Sequence, residues 1–173
     1  MKYLLILITT ISLYAHSVDY YVKLINKTTV EQQEVAKFIA YNGKKYNLKY
    51  TLLAIGFKES QWGRFKLNLK DPSAGLFHKL LPYYCVELGL VPNKWNQSRV
   101  AERLIENNAE AIIVAINDLK RNFLYFKTKG YNNKVSWRYM IQAYNAGISN
   151  YKAGKRYYKE IVKIIRALRI LNY

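Results

Sequence analysis

A single glutamate at the end of an apolar segment is the side chain in this sequence best placed to do chemistry. Residues 52–62 read Leu-Leu-Ala-Ile-Gly-Phe-Lys-Glu-Ser-Gln-Trp. With a helical period the apolar residues pack inward, and Glu59 lies at the C-terminal end of a largely buried helix. Partial burial favours the neutral form of a carboxyl group, which can then act as a general acid near neutral pH. The plainer interpretation is a solvated glutamate in a last helical turn.

Metal chemistry and nucleophilic catalysis have little support in the sequence. Cys85 is the only cysteine, and His16 and His78 are the only histidines. An intramolecular disulfide and a cysteine-rich metal site are therefore excluded. A Ser-His triad or a histidine metal centre would rest on His78 alone. We expect neither a metal ion nor another cofactor.

Composition indicates one folded, strongly basic domain. The 173 residues are enough for one domain with a sizeable core, and the apolar fraction of 51% excludes a disordered chain. The formal net charge of +17 predicts a polyanionic partner, with nucleic acid, anionic lipid and bacterial cell wall as the candidates. The 17 tyrosines suit stacking on sugars or bases, and equally a core with polar hydroxyls.

Residues 1–17 predict a secretory signal peptide. Lys2 precedes a short apolar run over residues 3–14, and Ala-His-Ser at residues 15–17 has the small-x-small form of a cleavage site. The run is too short for a comfortable membrane span, although an uncleaved anchor or an N-terminal core helix is the alternative. We therefore expect a periplasmic or secreted domain over residues 18–173, without a stable membrane span after cleavage. Export argues against nucleic acid as a partner.

The remaining chain predicts a mainly α domain with one small β element. Helical periodicity recurs between turn signals, and the helix that carries Glu59 begins near Lys49. Residues 65–70 alternate apolar and polar side chains, which predicts a short strand. Other helix starts are predicted from side chains that can cap them, namely Thr28, Ser98, Asn108 and Ser136.

The last predicted helix, over residues 155–171, carries six basic side chains against a single acid, Glu160. One interpretation is a contact face for a membrane or the cell wall. The plainer one is an amphipathic core helix with a solvated basic side, and we favour it because the whole chain is basic.

Three segments together resemble the soluble lytic transglycosylase domain, a branch of the lysozyme superfamily. Glu-Ser-Gln-Trp at residues 59–62 resembles that family's Glu-Ser motif, and Gly-Leu-Phe-His at 75–78 resembles its Gly-Leu-Met-Gln segment. Ala-Tyr-Asn-Ala-Gly at 143–147 matches a third motif letter for letter. Residues 108–119 resemble the family's helix that begins with Asn more weakly. The order and spacing of these motifs indicate the family more specifically than any one motif does.

The sequence departs from the family pattern at several positions. His78 stands where the family usually has Gln, and Phe77 where it usually has Met. Asn68 falls near the position of a serine in the family's β region. The fourth segment has Ile112 and Ala115 in place of a Gly and a Tyr. These departures affect the expected positioning of the substrate more than the expected role of Glu59 as the acid.

The resemblance implies a lysozyme-like fold and an activity on peptidoglycan. The family cleaves the β-1,4 bond between N-acetylmuramic acid and N-acetylglucosamine without water and leaves 1,6-anhydromuramoyl ends. By position, Glu59 would be the general acid and then the base that deprotonates the sugar's 6-hydroxyl group. Since the substrate supplies the nucleophile, a second carboxylate is not needed as in ordinary glycosidases.

The resemblance also implies a set of substrate-binding residues. Tyr144 matches the family's active-site tyrosine, which would hydrogen-bond the catalytic carboxyl group or the substrate. Each matched residue has a plainer interpretation, such as core packing for Phe77, local backbone capping for Ser60 and helix termination for Asn145. The implied substrate-binding residues are Ser60, Asn68, Phe77, His78, Tyr144 and Asn145.

Three alternatives to a transglycosylase stay open on the sequence. A hydrolytic muramidase would use water and a second carboxylate, and Asp71 is the only candidate for that carboxylate. An inactive cell-wall-binding or scaffold module is favoured by His78 and by the altered fourth segment. A basic protein for nucleic acid or membrane is weakened by the leader and the motifs. The expected partners are peptidoglycan strands, with a cell-envelope assembly complex as a further candidate.

Overall fold

The computed structural model of the protein describes residues 17–173. All but the last residue of the predicted signal peptide lies outside the described residues, so the signal peptide stays a prediction. Within residues 17–173, no helix is both long enough and apolar enough to cross a bilayer.

The described chain is mainly helical, which confirms the predicted class. It also contains a short antiparallel sheet, whose strands pair in chain order. The helices are α1 (Val18–Ile25), α2 (Val30–Lys44), α3 (Lys49–Ser60), α4 (Leu81–Glu87), α5 (Lys94–Glu106), α6 (Asn108–Thr128), α7 (Asn133–Ala146) and α8 (Lys155–Ile170), with a 3₁₀ turn over Tyr151–Gly154 before α8. The strands are β1 (Leu67–Asn68), β2 (Ser73–Ala74) and β3 (Lys79–Leu80).

Helix α3 forms the centre of the core. Residues 51–57 are all buried, so this helix has no solvated face for most of its length. Trp62 follows it, is 1% exposed, and donates from its indole nitrogen to the Leu53 carbonyl oxygen at 2.9 Å. Its ring also packs edge-on against Phe57, with 5.0 Å between the centroids. Burial of α3 thus extends to the turn that follows Glu59.

That turn is sharp because two successive residues adopt left-handed backbone conformations. Gln61 has φ 50° and Trp62 has φ 55°. The Gln32 side-chain amide on α2 donates to the Gln61 carbonyl oxygen at 2.6 Å and holds the turn in place. Helix α3 therefore stops one residue after Glu59, and the glutamate side chain comes at a helix end.

The helix starts differ from their predicted positions. Helix α2 has a capping box, but Thr29 and Gln32 form it in place of the predicted Thr28 and Glu31. The predicted caps at Ser98, Asn108 and Ser136 are also wrong, because an asparagine with extended or non-helical backbone precedes each of them. Asparagine caps as well as serine, so the earlier residue begins the helix. These caps are Asn93, Asn107 and Asn132.

Helix α8 packs its apolar side against the core and leaves most of its basic side chains exposed. This arrangement confirms the predicted amphipathic core helix, and a contact role for its basic side stays a prediction. Glu160 of α8 forms an ion pair with Lys58 of α3, so the two helices are also joined by charge. The side chains that α8 buries are Tyr157, Ile161, Ile164, Ile165, Ala167 and Leu168.

The start of α8 is fixed by a close backbone contact with α7. A Cβ atom placed on Gly154 would overlap the Gln142 carbonyl group and lie 2.8 Å from the Gln142 Cα. Gly154 has φ −73°, so glycine is needed there for space and not for backbone conformation. This contact sets where Tyr157, three residues later, lies relative to α7.

We expect Gly154→Ala to destabilise the protein by at least about 2 kcal/mol, because the added methyl group must push two backbones apart. The free energy of unfolding in urea measures the effect. The exposed neighbour Ala153 provides the control, since Ala153→Ser should change stability by less than about 0.5 kcal/mol. Equal stability of the two variants would contradict the close contact.

Candidate active site

A cleft of about 790 Å³ brings the three motif segments together. The segments come from the end of α3, from the chain between β2 and β3, and from the end of α7. Six of the seven predicted site residues line the cleft, namely Glu59, Asn68, Phe77, His78, Tyr144 and Asn145. Side chains that are far apart in the sequence thus share one concave surface, which is where ligands usually bind.

Glu59 presents its carboxyl group at the floor of this cleft. The side chain is 19% exposed, so it is neither solvated on all sides nor sealed in the core. Its Oε1 atom accepts a hydrogen bond from the Tyr157 hydroxyl group at 2.6 Å. Its Oε2 atom lies 3.5 Å from Nδ1 of His78. The two carboxyl oxygens therefore face two different groups, and water can reach the site from the cleft.

Tyr157 is the main site residue that sequence reasoning missed. It is buried in the first turn of α8, and burial raises the pKa of its hydroxyl group well above the ordinary range. The nearby charge of Glu59 raises this pKa further. The hydroxyl group therefore keeps its proton and donates to Glu59. The signal available in the sequence was the Tyr-Tyr pair at residues 157–158 in the last predicted helix.

The position of the His78 ring is set by an unusual backbone conformation and by a contact with the Phe65 carbonyl group. Its φ is 47°, an uncommon left-handed conformation for a residue other than glycine. Its Nε2 atom lies 2.7 Å from the Phe65 carbonyl oxygen. A carbonyl oxygen only accepts, so Nε2 must carry a hydrogen atom. Nδ1 is then the ring atom that faces the Glu59 carboxyl group.

With this tautomer, His78 presents to Glu59 either the Nδ1 lone pair or, when the ring is protonated, an Nδ1–H group. A neutral His78 would direct the Nδ1 lone pair at the carboxyl group, which is favourable only if Glu59 carries a proton. An ionised Glu59 is instead matched by a protonated His78. Burial lowers the pKa of His78, but the hydrogen bonds to Glu59 and Phe65, with the charges of Glu59 and Asp71, outweigh burial and raise it.

Tyr144 lies in the cleft but donates to a backbone carbonyl group and not to the catalytic carboxyl group, which was one of its two predicted partners beside the substrate. Its hydroxyl group donates to the Phe77 carbonyl oxygen at 3.0 Å. Burial raises the pKa of Tyr144 well above the ordinary range, with added contributions from the charges of Asp118 and Glu59. Tyr144 therefore stays a donor and holds the backbone that carries Phe77 and His78.

Ser60 does not line the cleft. It is fully buried, and its hydroxyl oxygen lies 2.8 Å from the Leu76 carbonyl oxygen, to which it donates. The same oxygen accepts from the Gly63 backbone N–H at 3.0 Å. These contacts tie the end of α3 to the chain before His78. Of the two interpretations of Ser60, they favour local backbone capping over substrate contact.

The remaining predicted residues occupy the rim and wall of the cleft. Phe77 is 2% exposed and forms part of the core beneath the cleft. Asn68 is half-buried on β1, while Asn145 is exposed at the end of α7. Asp71 also lines the cleft and is exposed, so a second carboxyl group is available on the same surface.

A network of four charged side chains forms another part of the cleft wall. Lys79 donates to Asp118 at 2.8 Å and lies 2.8 Å from Glu87, and Arg121 bonds the same two acids at 2.7 and 3.1 Å. Sequence reasoning missed this network because its members come from three separate elements. Within residues 17–173, no three His, Cys, Asp or Glu side chains are placed to hold a metal ion together.

Comparison with known proteins gives no match: no family model, curated protein or solved structure is similar to this chain at a significant level. The resemblance to lytic transglycosylases therefore stays a prediction from three short motifs. The geometry of the cleft is independent of that resemblance, since it depends on contacts within this chain alone.

We expect His78 to titrate with a pKa above that of an unfolded histidine, because the Glu59 carboxylate favours the imidazolium form. NMR titration of the histidine side chains measures this pKa, with His78→Gln assigning the signal. Glu59→Gln should lower the pKa. A His78 pKa at or below the unfolded value would contradict a stabilising contact between the imidazolium and the Glu59 carboxylate.

The same pKa shift has a stability consequence with a definite sign. Because the pKa of His78 is higher in the folded state, its protonation contributes stability that is fully present below the unfolded pKa. This contribution is lost as the pH rises through the folded pKa. The stability difference between the wild-type protein and His78→Gln should change in that window.

Proposed function

We propose that this protein is a lytic transglycosylase of lysozyme-like fold that cleaves the glycan strands of peptidoglycan. The bond cut is the β-1,4 bond between N-acetylmuramic acid and N-acetylglucosamine, and the product carries a 1,6-anhydro ring. The observation that carries the proposal is the placement of Glu59, His78 and Tyr144 in one cleft. These residues were predicted from three separate motifs, and their meeting is a requirement of the proposed site.

The first chemical step requires a proton on the carboxyl group. Glu59 lies in a partly desolvated cleft with Nδ1 of His78 3.5 Å from its Oε2 atom, and we propose that the two side chains share one proton. With the proton on Oε2, His78 is neutral and Glu59 can protonate the leaving glycosidic oxygen. His78 thus replaces the family's usual glutamine with a group that can hold the proton beside the acid.

The second step requires the ionised carboxylate as a base. After it gives up its proton, Glu59 takes the hydrogen from the 6-hydroxyl group of the muramoyl sugar, whose oxygen closes the anhydro ring. The Tyr157 hydroxyl group is already aimed at Oε1 at 2.6 Å and stabilises the negative charge that forms between the two steps. No second carboxylate takes part.

The net positive charge of the protein fits a substrate in the bacterial cell wall. Peptidoglycan peptides carry carboxylates and the bacterial wall is polyanionic, so a protein with a net charge of +17 is held near its substrate. Because salt screens this attraction, it acts only over short distances. We therefore propose a periplasmic or secreted location next to the wall. The predicted signal peptide supports the same location.

A hydrolytic muramidase is the second candidate, because Asp71 lines the same cleft as Glu59. In that reaction a second carboxylate assists an attacking water, and the product is a reducing sugar. Asp71 is exposed and is followed directly by Pro72 in the turn between β1 and β2. The muramidase reaction would require Asp71, and the transglycosylase reaction would not.

We expect Glu59→Gln to lower the rate of peptidoglycan cleavage by at least about 100-fold, since the amide cannot donate or take the proton. Digestion of purified peptidoglycan followed by mass analysis should show 1,6-anhydro ends with the wild-type protein. Glu34→Gln, an exposed glutamate on α2, is the matched control and should cleave normally. Reducing ends that disappear in Asp71→Asn would identify a muramidase, and binding without cleavage would identify a scaffold module.

We expect Tyr157→Phe to lower kcat about tenfold with little change in KM, because its hydrogen bond to the carboxylate is strongest after the proton has left. Tyr158→Phe is the control, since Tyr158 packs against Trp137 and lacks a contact with Glu59 among the described hydrogen bonds. Steady-state rates on soluble glycan fragments give both constants. An unchanged kcat in Tyr157→Phe would contradict the proposed role.

A further inference from the structure

Three apolar side chains form an exposed row on the segment that leads into the sheet. Phe65, Leu67 and Leu69 are 51%, 48% and 84% exposed, whereas Lys66 and Asn68 between them are turned inward. Adjacent side chains in a strand point to opposite faces, so Phe65 and Leu67 lie on one side of the segment, and Leu69 follows in the turn after β1. We call residues 65, 67 and 69 the apolar row.

The orientation of this segment is the reverse of an ordinary amphipathic strand. A strand over a core normally buries its apolar side and exposes its polar side. Here Lys66 reaches inward, and its ammonium group donates to the Ile105 carbonyl oxygen at 2.8 Å and to Asn108 Oδ1 at 2.9 Å. A shift by one residue would break both bonds, so the half-buried Lys66 fixes the outward direction of Phe65 and Leu67.

The charged residues next to the apolar row along the chain are positive up to Lys70. Arg64 and Lys70 are exposed at its two ends, and the Arg64 guanidinium lies 5.1 Å from the centre of the Phe65 ring. The sequence has no acidic residue between Glu59 and Asp71. A second copy of the chain carries the same net charge of +17 and would be repelled, whereas a negatively charged surface would be attracted.

We propose that the apolar row is a peripheral binding site for an anionic phospholipid bilayer. Phe65, Leu67 and Leu69 would enter the interfacial region, while Arg64 and Lys70 contact the headgroups. Three side chains make a small contact for a stable protein partner, which needs about 800 Å² on each side. A bilayer needs no shape complementarity, because apolar burial and charge attraction are sufficient.

Binding at this site would place the cleft at the membrane surface. The Phe65 carbonyl oxygen accepts the hydrogen bond from His78 Nε2 at 2.7 Å, so the apolar row is attached to the residue beside Glu59. The segment can therefore orient the cleft with respect to the bilayer. This inference does not depend on the proposed cleavage reaction, because membrane binding by the apolar row can be tested whether or not the protein cleaves peptidoglycan.

A fluorescent probe at position 69 tests the proposal in the full chain. Cys85 is buried, so a cysteine introduced by Leu69→Cys is the reactive one and can carry an environment-sensitive label. Leu124→Cys gives the matched control, because Leu124 is 61% exposed on α6 and the leader is the same in both proteins. The label reports on its own position even if another part of the chain also touches lipid.

With vesicles of phosphatidylglycerol and phosphatidylcholine, the label at position 69 should shift to the blue and become protected from iodide quenching. The label at position 124 should stay accessible, and both effects at position 69 should weaken with salt and with phosphatidylcholine alone. Leu67→Ser combined with Leu69→Ser should reduce vesicle binding by at least about tenfold relative to Leu124→Ser.

Three results would overturn the proposal. The first is vesicle binding with the label at position 69 still fully quenched by iodide, which would assign binding to another surface. The second is a blue shift without vesicles that grows with protein concentration, which would show that a second copy covers the apolar row. The third is the absence of binding to anionic vesicles by the wild-type protein.

Discussion

The site depends on a carboxyl group held between two different hydrogen-bonding groups at the end of a buried helix. Tyr157 donates to one oxygen of Glu59, and His78 faces the other. Because Phe65 fixes the hydrogen on His78 Nε2, Nδ1 is the ring atom that faces Glu59, and the proposed reaction has the two side chains hold one proton between them. In the proposed reaction Glu59 first gives and then takes a proton, and the hydrogen bond from Tyr157 and the contact with His78 suit both steps.

The fold supports this arrangement through close contacts outside the cleft. Helix α3 is buried along most of its length, so Glu59 cannot move without disturbing the core. Gly154 allows α8 to begin against α7, and that contact places Tyr157 opposite Glu59. Ser60 joins the end of α3 to the chain before His78. The residues around the site therefore act mainly by fixing positions.

The parts of the structure that were predictable from the sequence are those with local signals. Helical periodicity predicts the mainly α class, and the apolar run predicts that Glu59 ends a buried helix. Helix starts fail where two capping residues compete, as at Asn93 and Ser98. The role of Tyr157 and the outward direction of the apolar row were not predicted, for another reason. Their roles are set by contacts with distant elements, such as the bond from Lys66 to Ile105, and periodicity carries no information on such contacts.

The central claim is that Glu59 works with a nucleophile from the sugar itself, and water labelled with the heavy isotope of oxygen tests it most directly. Peptidoglycan is digested in labelled water, and the new chain ends are analysed by mass. Since the anhydro ring closes through the sugar's own oxygen, we predict cleavage that requires Glu59 and new ends without label. Label in the new ends would show that water is the nucleophile and would contradict the account.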